Sequence, residues 1–130
     1  MKLAQIQMHV TADKAANLRH AEELLRSVRG ADMAILPEMF CCPYDNSCFR
    51  AYGEAAGGAA YQMLSRTARE LGLWLVGGSL PELDDGRVYN TSFVFDPQGA
   101  CVARHRKMHL FDIDVEGGQR FRESDTLDRK

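Results

Sequence analysis

The sequence has no long apolar run. Stretches such as Leu73–Val76 are far shorter than the roughly 20 residues that cross a bilayer as a helix. It has no excess of positive charge either. Sixteen Lys and Arg against 18 Asp and Glu leave a formal net charge of -2, whereas a nucleic-acid-binding domain usually carries a basic face. Met1–Gln7 alternates apolar and polar residues and lacks the continuous apolar stretch of a secretory signal, so the expected location is cytoplasmic, with no membrane and no nucleic acid as partner. Cysteine is sparse: Cys41, Cys42, Cys48 and Cys101. With nothing pointing to secretion these read as reduced thiols. Cys41-Cys42 followed by Cys48 fits no zinc-ligand spacing, and no metal site is expected. The glycine pairs Gly57-Gly58, Gly77-Gly78 and Gly117-Gly118 make no G-x-G-x-x-G after a strand, which disfavours a nucleotide-binding domain.

What is present suits a globular α/β protein. The 130 residues are 45% hydrophobic and 26% charged, ordinary for a soluble domain. Residues 2–10 alternate as a strand, with Leu3, Ile6, Met8 and Val10 apolar. Thr11 is the expected N-cap of a helix whose inner face is Ala15, Leu18, Ala21, Leu25 and Val28. Glu22 and Arg26 pair on its outside, and Gly30 ends it. Met33–Leu36 is a short apolar strand of the kind found in a covered sheet. Residues 39–58 read as irregular. Ala60, Met63, Leu64, Thr67, Ala68 and Leu71 predict the clearest helix, closed by Gly72. Leu73–Val76, Val88–Phe95 and Cys101–Arg106 are strands, the last two joined by a turn at Asp96–Gly99. Asp84-Asp85-Gly86 is a further turn. The order β-α-β-α-β-β-β predicts an α/β layered fold with a mixed sheet. Residues 112–130 show no periodicity that defines an element.

In open α/β sheets, reactive groups gather at the carboxyl ends of strands. Glu38 follows the strand ending at Leu36, after Pro37, and Lys107 follows Cys101–Arg106. An acid and a base at neighbouring strand ends can carry a proton and stabilise developing charge, although strand-end Glu and Lys are more commonly solvated surface residues. Among the histidines, His20 belongs on a helix surface, and His105 and His109 flank Lys107 without an evident partner.

The words around these two residues are more specific. Leu36-Pro37-Glu38-Met39-Phe40-Cys41-Cys42-Pro43-Tyr44 resembles the first catalytic motif of the nitrilase superfamily of carbon–nitrogen hydrolases. Arg106-Lys107-Met108-His109-Leu110-Phe111-Asp112-Ile113-Asp114-Val115 resembles the second, and its His-Leu-Phe-Asp-Ile-Asp portion is typical of the ω-amidase branch. Gly77–Glu82, Tyr89-Asn90-Thr91 and Phe121-Arg122-Glu123-Ser124 are similar to the same branch. Several motifs in register outweigh any single one.

The resemblance implies an αββα sandwich, of which these residues would form the N-terminal part of a single domain, and an enzyme that assembles as a homo-oligomer. It implies an amidase acting on a small-molecule amide, the monoamide of a dicarboxylate, by thiol acyl transfer with no metal or organic cofactor. Glu38 would be the general base, Lys107 the cation facing the oxyanion, and Glu123 the second glutamate that positions Lys107. Tyr44 would contribute to substrate binding. The family's nucleophile stands in a Gly-x-x-x-Cys-Tyr-Asp pattern after the second glutamate, and no such pattern occurs by Lys130. The expectation is therefore a chain truncated before its nucleophile and inactive alone. The alternative is a non-catalytic short protein that keeps only the fold or dimer surface. A relocated nucleophile at Cys41 or Cys42 is disfavoured, because a neighbouring acid opposes the thiolate. Half a two-sheet sandwich should also leave an apolar sheet face bare, formed by Tyr89, Phe93 and Phe95 or by Val88 and Val94.

Overall fold

The computed structural model describes residues 1–129. Strands β1 (Leu3–Gln5), β2 (Met33–Ile35) and β3 (Trp74–Val76) lie parallel. Helix α1 (Lys14–Ser27) connects the first two, and the short α2 (Asn46–Phe49) and α3 (Ala59–Leu71) precede the third. The chain then reverses. β5 (Arg87–Phe95) runs antiparallel to β3 through Leu75↔Phe95 and Val76↔Val94. β4 (Leu80–Asp84) continues along the same edge of β5, and β6 (Cys101–Arg106) takes the other edge. A separate hairpin, β7 (Asp112–Asp114) with β8 (Arg120–Arg122), leads into a 3-10 turn at Glu123–Asp125.

The helices cover one face of the sheet. Ala60, Met63, Leu64, Thr67 and Ala68 of α3 are buried and pack with Ala34, Leu75, Phe93 and Phe95 of the strands. In α1 the buried residues are Asn17, Ala21 and Leu25. Gly72 ends α3 in the left-handed region, with its N–H returned to Ala68 and Arg69 carbonyls, as the sequence indicates. Glu22 and Arg26 do pair, at 2.9 Å, and Arg26 also reaches Glu70 of α3 at 2.5 Å.

Four local expectations are corrected. The first strand is three residues, not nine, because a strand needs a partner and β2 offers only Met33–Ile35. The cap of α1 is Asp13, whose side chain accepts the Ala16 N–H. Thr11 is held instead by Asn17, which bonds both its N–H and its C=O at 2.8 Å. The stretch 80–84 and the hairpin at 112–122 form strands where none was expected. Of the two sets expected on the bare apolar face, Tyr89, Phe93 and Phe95 are buried and so is Val88, whereas Val94 does lie on the open side. The open face carries Ile35, Val76 and Val94, half-buried, with Leu3 54% and Trp74 42% exposed.

A second, smaller core lies beyond the sheet's carboxyl end. Met39, Cys42, Phe49, Val88 and Leu127 are buried together, with Leu110 and Phe121 packed on them. It ties the 39–49 segment to the last residues of the chain and so fixes the surroundings of Glu38.

Candidate active site

Glu38 stands on a strained corner. Met39, the next residue, has φ of +49°, in the left-handed region that non-glycine residues rarely occupy, at a cost of order 1–3 kcal/mol. The loop after β3 holds it there. Ser79 Oγ accepts the Met39 N–H at 3.0 Å, the Ser79 C=O accepts the Phe40 N–H at 3.2 Å, and the Ser79 N–H reaches the Pro37 carbonyl at 3.3 Å. Gly78, at φ +57°, lets this loop close, since a Cβ there would lie 2.0 Å from the Pro37 oxygen. The Gly77-Gly78-Ser79 motif is therefore the brace of the Glu38 corner.

Lys107 enters from the end of β6, its N–H bonded to the Asn90 carbonyl at 2.8 Å. Although 69 positions separate them, Lys107 Nζ donates to Glu38 Oε1 at 3.0 Å. It also donates to Glu123 Oε1 at 3.2 Å. Burial alone would lower the Lys107 pKa, but hydrogen bonds to the two carboxylates outweigh it and raise the value, so the ammonium form is secured.

Glu123 is fully buried, and a buried carboxylate is tolerable only when its lone pairs are filled. Here Phe111 N–H donates to Oε2 at 2.6 Å, while Lys107 and the Tyr44 hydroxyl donate to Oε1. The Tyr44 pKa is raised, first by burial and then by that bond. Asn90, on β5, completes the group by donating to Glu38 Oε1 at 2.8 Å.

A cavity of about 350 Å³ opens here, with Ile35, Leu36 and Val76 as an apolar floor and Glu38, Asn90, His105 and Lys107 among its polar lining. The arrangement can hold an amide-sized group against a fixed cation with a carboxylate beside it. A half-exposed carboxylate can exchange a proton with it, and a pinned ammonium can stabilise an oxyanion.

The family model described as carbon-nitrogen hydrolase matches residues 2–130. The chain belongs to the carbon-nitrogen hydrolase family. It is 48% identical over 128 residues to omega-amidase NIT2 of Danio rerio, an alignment covering 97% of this chain and 46% of that protein. The human omega-amidase NIT2 is 44% identical over the same proportions. The crystal structure of Saccharomyces cerevisiae Nit3, a member of branch 10 of the nitrilase superfamily, superposes with a TM-score of 0.83 at 33% identity. That match covers 100% of this chain and 48% of Nit3. The chain thus spans about half the length of the curated relatives it matches.

Within this carbon-nitrogen hydrolase chain, the cysteines adjoining Glu38 are poor nucleophile candidates. Cys41 and Cys42 are buried, one in each core, and burial pushes both thiols up to about 12. No group of three or more His, Cys, Asp or Glu among the described residues could hold a metal ion, and no helix there is long and apolar enough to cross a membrane. The structure brings together Glu38, Lys107, Glu123 and Tyr44, the residues that the sequence motifs single out, and adds Ser79 and Asn90, which they do not. Both additions lie inside the motifs Gly77–Glu82 and Tyr89-Asn90-Thr91.

Further back, Glu82 is buried and bonded to Thr91 Oγ1 and Arg106 Nε, each at 2.8 Å. Arg106 also lies over the Tyr89 ring, 3.9 Å from its centroid. This network anchors the residue immediately before Lys107.

Proposed function

We propose that Glu38, Lys107 and Glu123 are three parts of a four-part amidase site, and that the fourth, a nucleophilic thiol, lies in a segment outside these 130 residues. The observation that carries the reading is the single ammonium of Lys107 held between two carboxylates from different parts of the chain. In this reading the residues described here are the N-terminal part of one catalytic domain.

Glu38 takes the proton of the incoming thiol, and the thiolate attacks the amide carbon. The Lys107 ammonium faces the resulting oxyanion. A charge-stabilising donor in a dry site is worth ~3 kcal/mol or more. Glu38 then gives the proton to the departing nitrogen as the C–N bond breaks, and water, deprotonated by the same carboxylate, cleaves the thioester. Glu123 holds Lys107 in place and does not exchange protons. No metal or cofactor enters this scheme.

The similarity to omega-amidases favours a small amide as substrate, the monoamide of a dicarboxylate such as 2-oxoglutaramate or 2-oxosuccinamate. Tyr44, a residue 45% exposed whose hydroxyl is committed to Glu123, would meet the substrate through its ring. The complete enzyme would be a homo-oligomer.

The test joins residues 1–128 in frame to the remaining portion of a NIT2-type omega-amidase and measures ammonia release from 2-oxoglutaramate. Turnover by the joined chain and none by the 130-residue chain is the expected outcome. Turnover by the short chain, lost in Cys41→Ala or Cys42→Ala, would overturn the proposal by placing the nucleophile within it.

A further inference from the structure

Asn90 is only 3% exposed, yet it is not internally satisfied. Its Nδ2 donates to Glu38 Oε1 at 2.8 Å, while its buried Oδ1 has no hydrogen-bond partner among the described residues. An unmatched buried acceptor is destabilising, and buried side-chain amides normally place both ends. A leucine would occupy similar space without that cost. The local packing therefore gives no reason for an amide here, and the one contact that does is the bond to Glu38.

That bond has a directional consequence. Glu38 Oε1 receives two N–H donors, Asn90 Nδ2 and Lys107 Nζ at 3.0 Å, whereas Oε2 receives none among the described residues. A carboxylate oxygen already accepting two donors has its in-plane lone pairs filled, so an arriving proton goes to the other oxygen. Lys107 does not decide the choice alone, because an ammonium held by Glu123 is a compact point charge that can serve either Glu38 oxygen. Asn90 can decide it, because its backbone is locked into β5 between β4 and β6 and its C=O also holds the Lys107 N–H at 2.8 Å.

We propose that Asn90 is a positioning residue that occupies Oε1 of Glu38 and thereby makes Oε2 the oxygen that takes and returns the proton. The inference rests on the reading of Glu38 as proton carrier. In proton terms, the thiol S–H bond breaks as the Glu38 Oε2–H bond forms. That O–H bond later breaks as an N–H bond forms on the leaving nitrogen, and the Asn90 N–H stays on Oε1 throughout.

The test needs no turnover, so its outcome is separate from that of the amidase assay. In the 130-residue chain, the side-chain amide signals of Asn90 are followed by NMR across the titration of the Glu38 carboxyl carbon. The groups facing Glu38 are Lys107 and His105 from the β6 end, Tyr44 from the 39–49 segment and, through Lys107, Glu123. Glu123→Gln and His105→Gln controls separate their titrations. The expected result is an Nδ2 proton that shifts in step with Glu38 yet keeps its protection from exchange in acid, with the shift lost in Glu38→Gln and retained in both controls. Loss of protection in acid would place the proton on Oε1 and overturn the proposal, as would signals that ignore the Glu38 titration. Asn90→Leu gives an independent reading. Its denaturation midpoint should stay close to wild type, because removing the unmatched Oδ1 offsets the lost bond to the half-exposed Glu38. A clear loss of stability would show that the amide serves the fold instead.

Discussion

The hydroxyl of Ser79 accepts the backbone N–H of Met39 at 3.0 Å, and that bond fixes the left-handed residue next to Glu38. The site thus depends on a loop that contributes no side chain to the chemistry. The loop in turn depends on Gly78, whose missing Cβ admits the Pro37 carbonyl.

This dependence separates two glycines that share a positive φ. Gly86, in the β4–β5 turn, has φ +74° and nothing near its absent Cβ, whereas Gly78 has φ +57° and a carbonyl oxygen 2.0 Å away. Gly86→Ala should cost about 1–2 kcal/mol, the ordinary penalty for a left-handed alanine. Gly78→Ala should cost more, because the chain must also move, and it should disturb the amide signals of Met39 and Phe40. Urea unfolding with NMR fingerprints checks both. Equal costs would mean that the loop does not press on the Glu38 corner.

The four thiols should differ sharply in reactivity. Cys101 is exposed, whereas the Cys41 and Cys42 thiols are buried and pushed up to about 12. At pH 8 a thiol with that value is ionised only about one part in ten thousand, and only the thiolate attacks an alkylating agent. Iodoacetamide followed by peptide mass mapping should label Cys101 first. Cys41 and Cys42 should stay unlabelled until the chain is unfolded. Early labelling of either would revive it as a nucleophile.

Much of this was legible in the sequence, for identifiable reasons. Helix α3 was, because Ala60, Met63, Leu64, Thr67 and Ala68 recur at helical spacing and Gly72 supplies the stop. The grouping of Glu38, Lys107 and Glu123 was, because each sits in a distinctive run of neighbours. β4 was not: Pro81 argues against a strand, and Glu82 looks like a surface charge until Arg106 and Thr91 are brought to it. Nor was the role of Tyr44, whose partner Glu123 lies 79 positions away. Ser79 and Asn90 act through single long-range hydrogen bonds, which leave no periodic trace. Alternation along β5 leaves the exposed face open between Tyr89, Phe93 and Phe95 on one side and Val88 and Val94 on the other, because it does not say which side α3 covers; Val94 lies on the open face and Val88 in the second core.

The two carboxylates on Lys107 should appear in the pH dependence of stability. The Lys107 pKa is raised above its ordinary 10.5 in the folded chain. Its pairing contribution is therefore fully present below the unfolded value and is lost as pH rises through the folded one. The stability gap between wild type and Lys107→Met should stay level from pH 7 to about 9.5 and shrink above about 10.5. Denaturant midpoints across that range measure it. A gap that widens with alkali would mean that the ammonium is not held by Glu38 and Glu123.

The most direct measurement of the catalytic account is kcat/KM for 2-oxoglutaramate in the joined full-length chain, with and without Glu38→Gln. Glutamine fills the same volume and still accepts the Asn90 and Lys107 hydrogen bonds, but it cannot carry a proton. The account predicts a fall of at least about 10²-fold, the usual worth of a general base, with the folded structure and the Lys107 contact retained. A Glu38→Gln protein that turns over within a few-fold of wild type would contradict it.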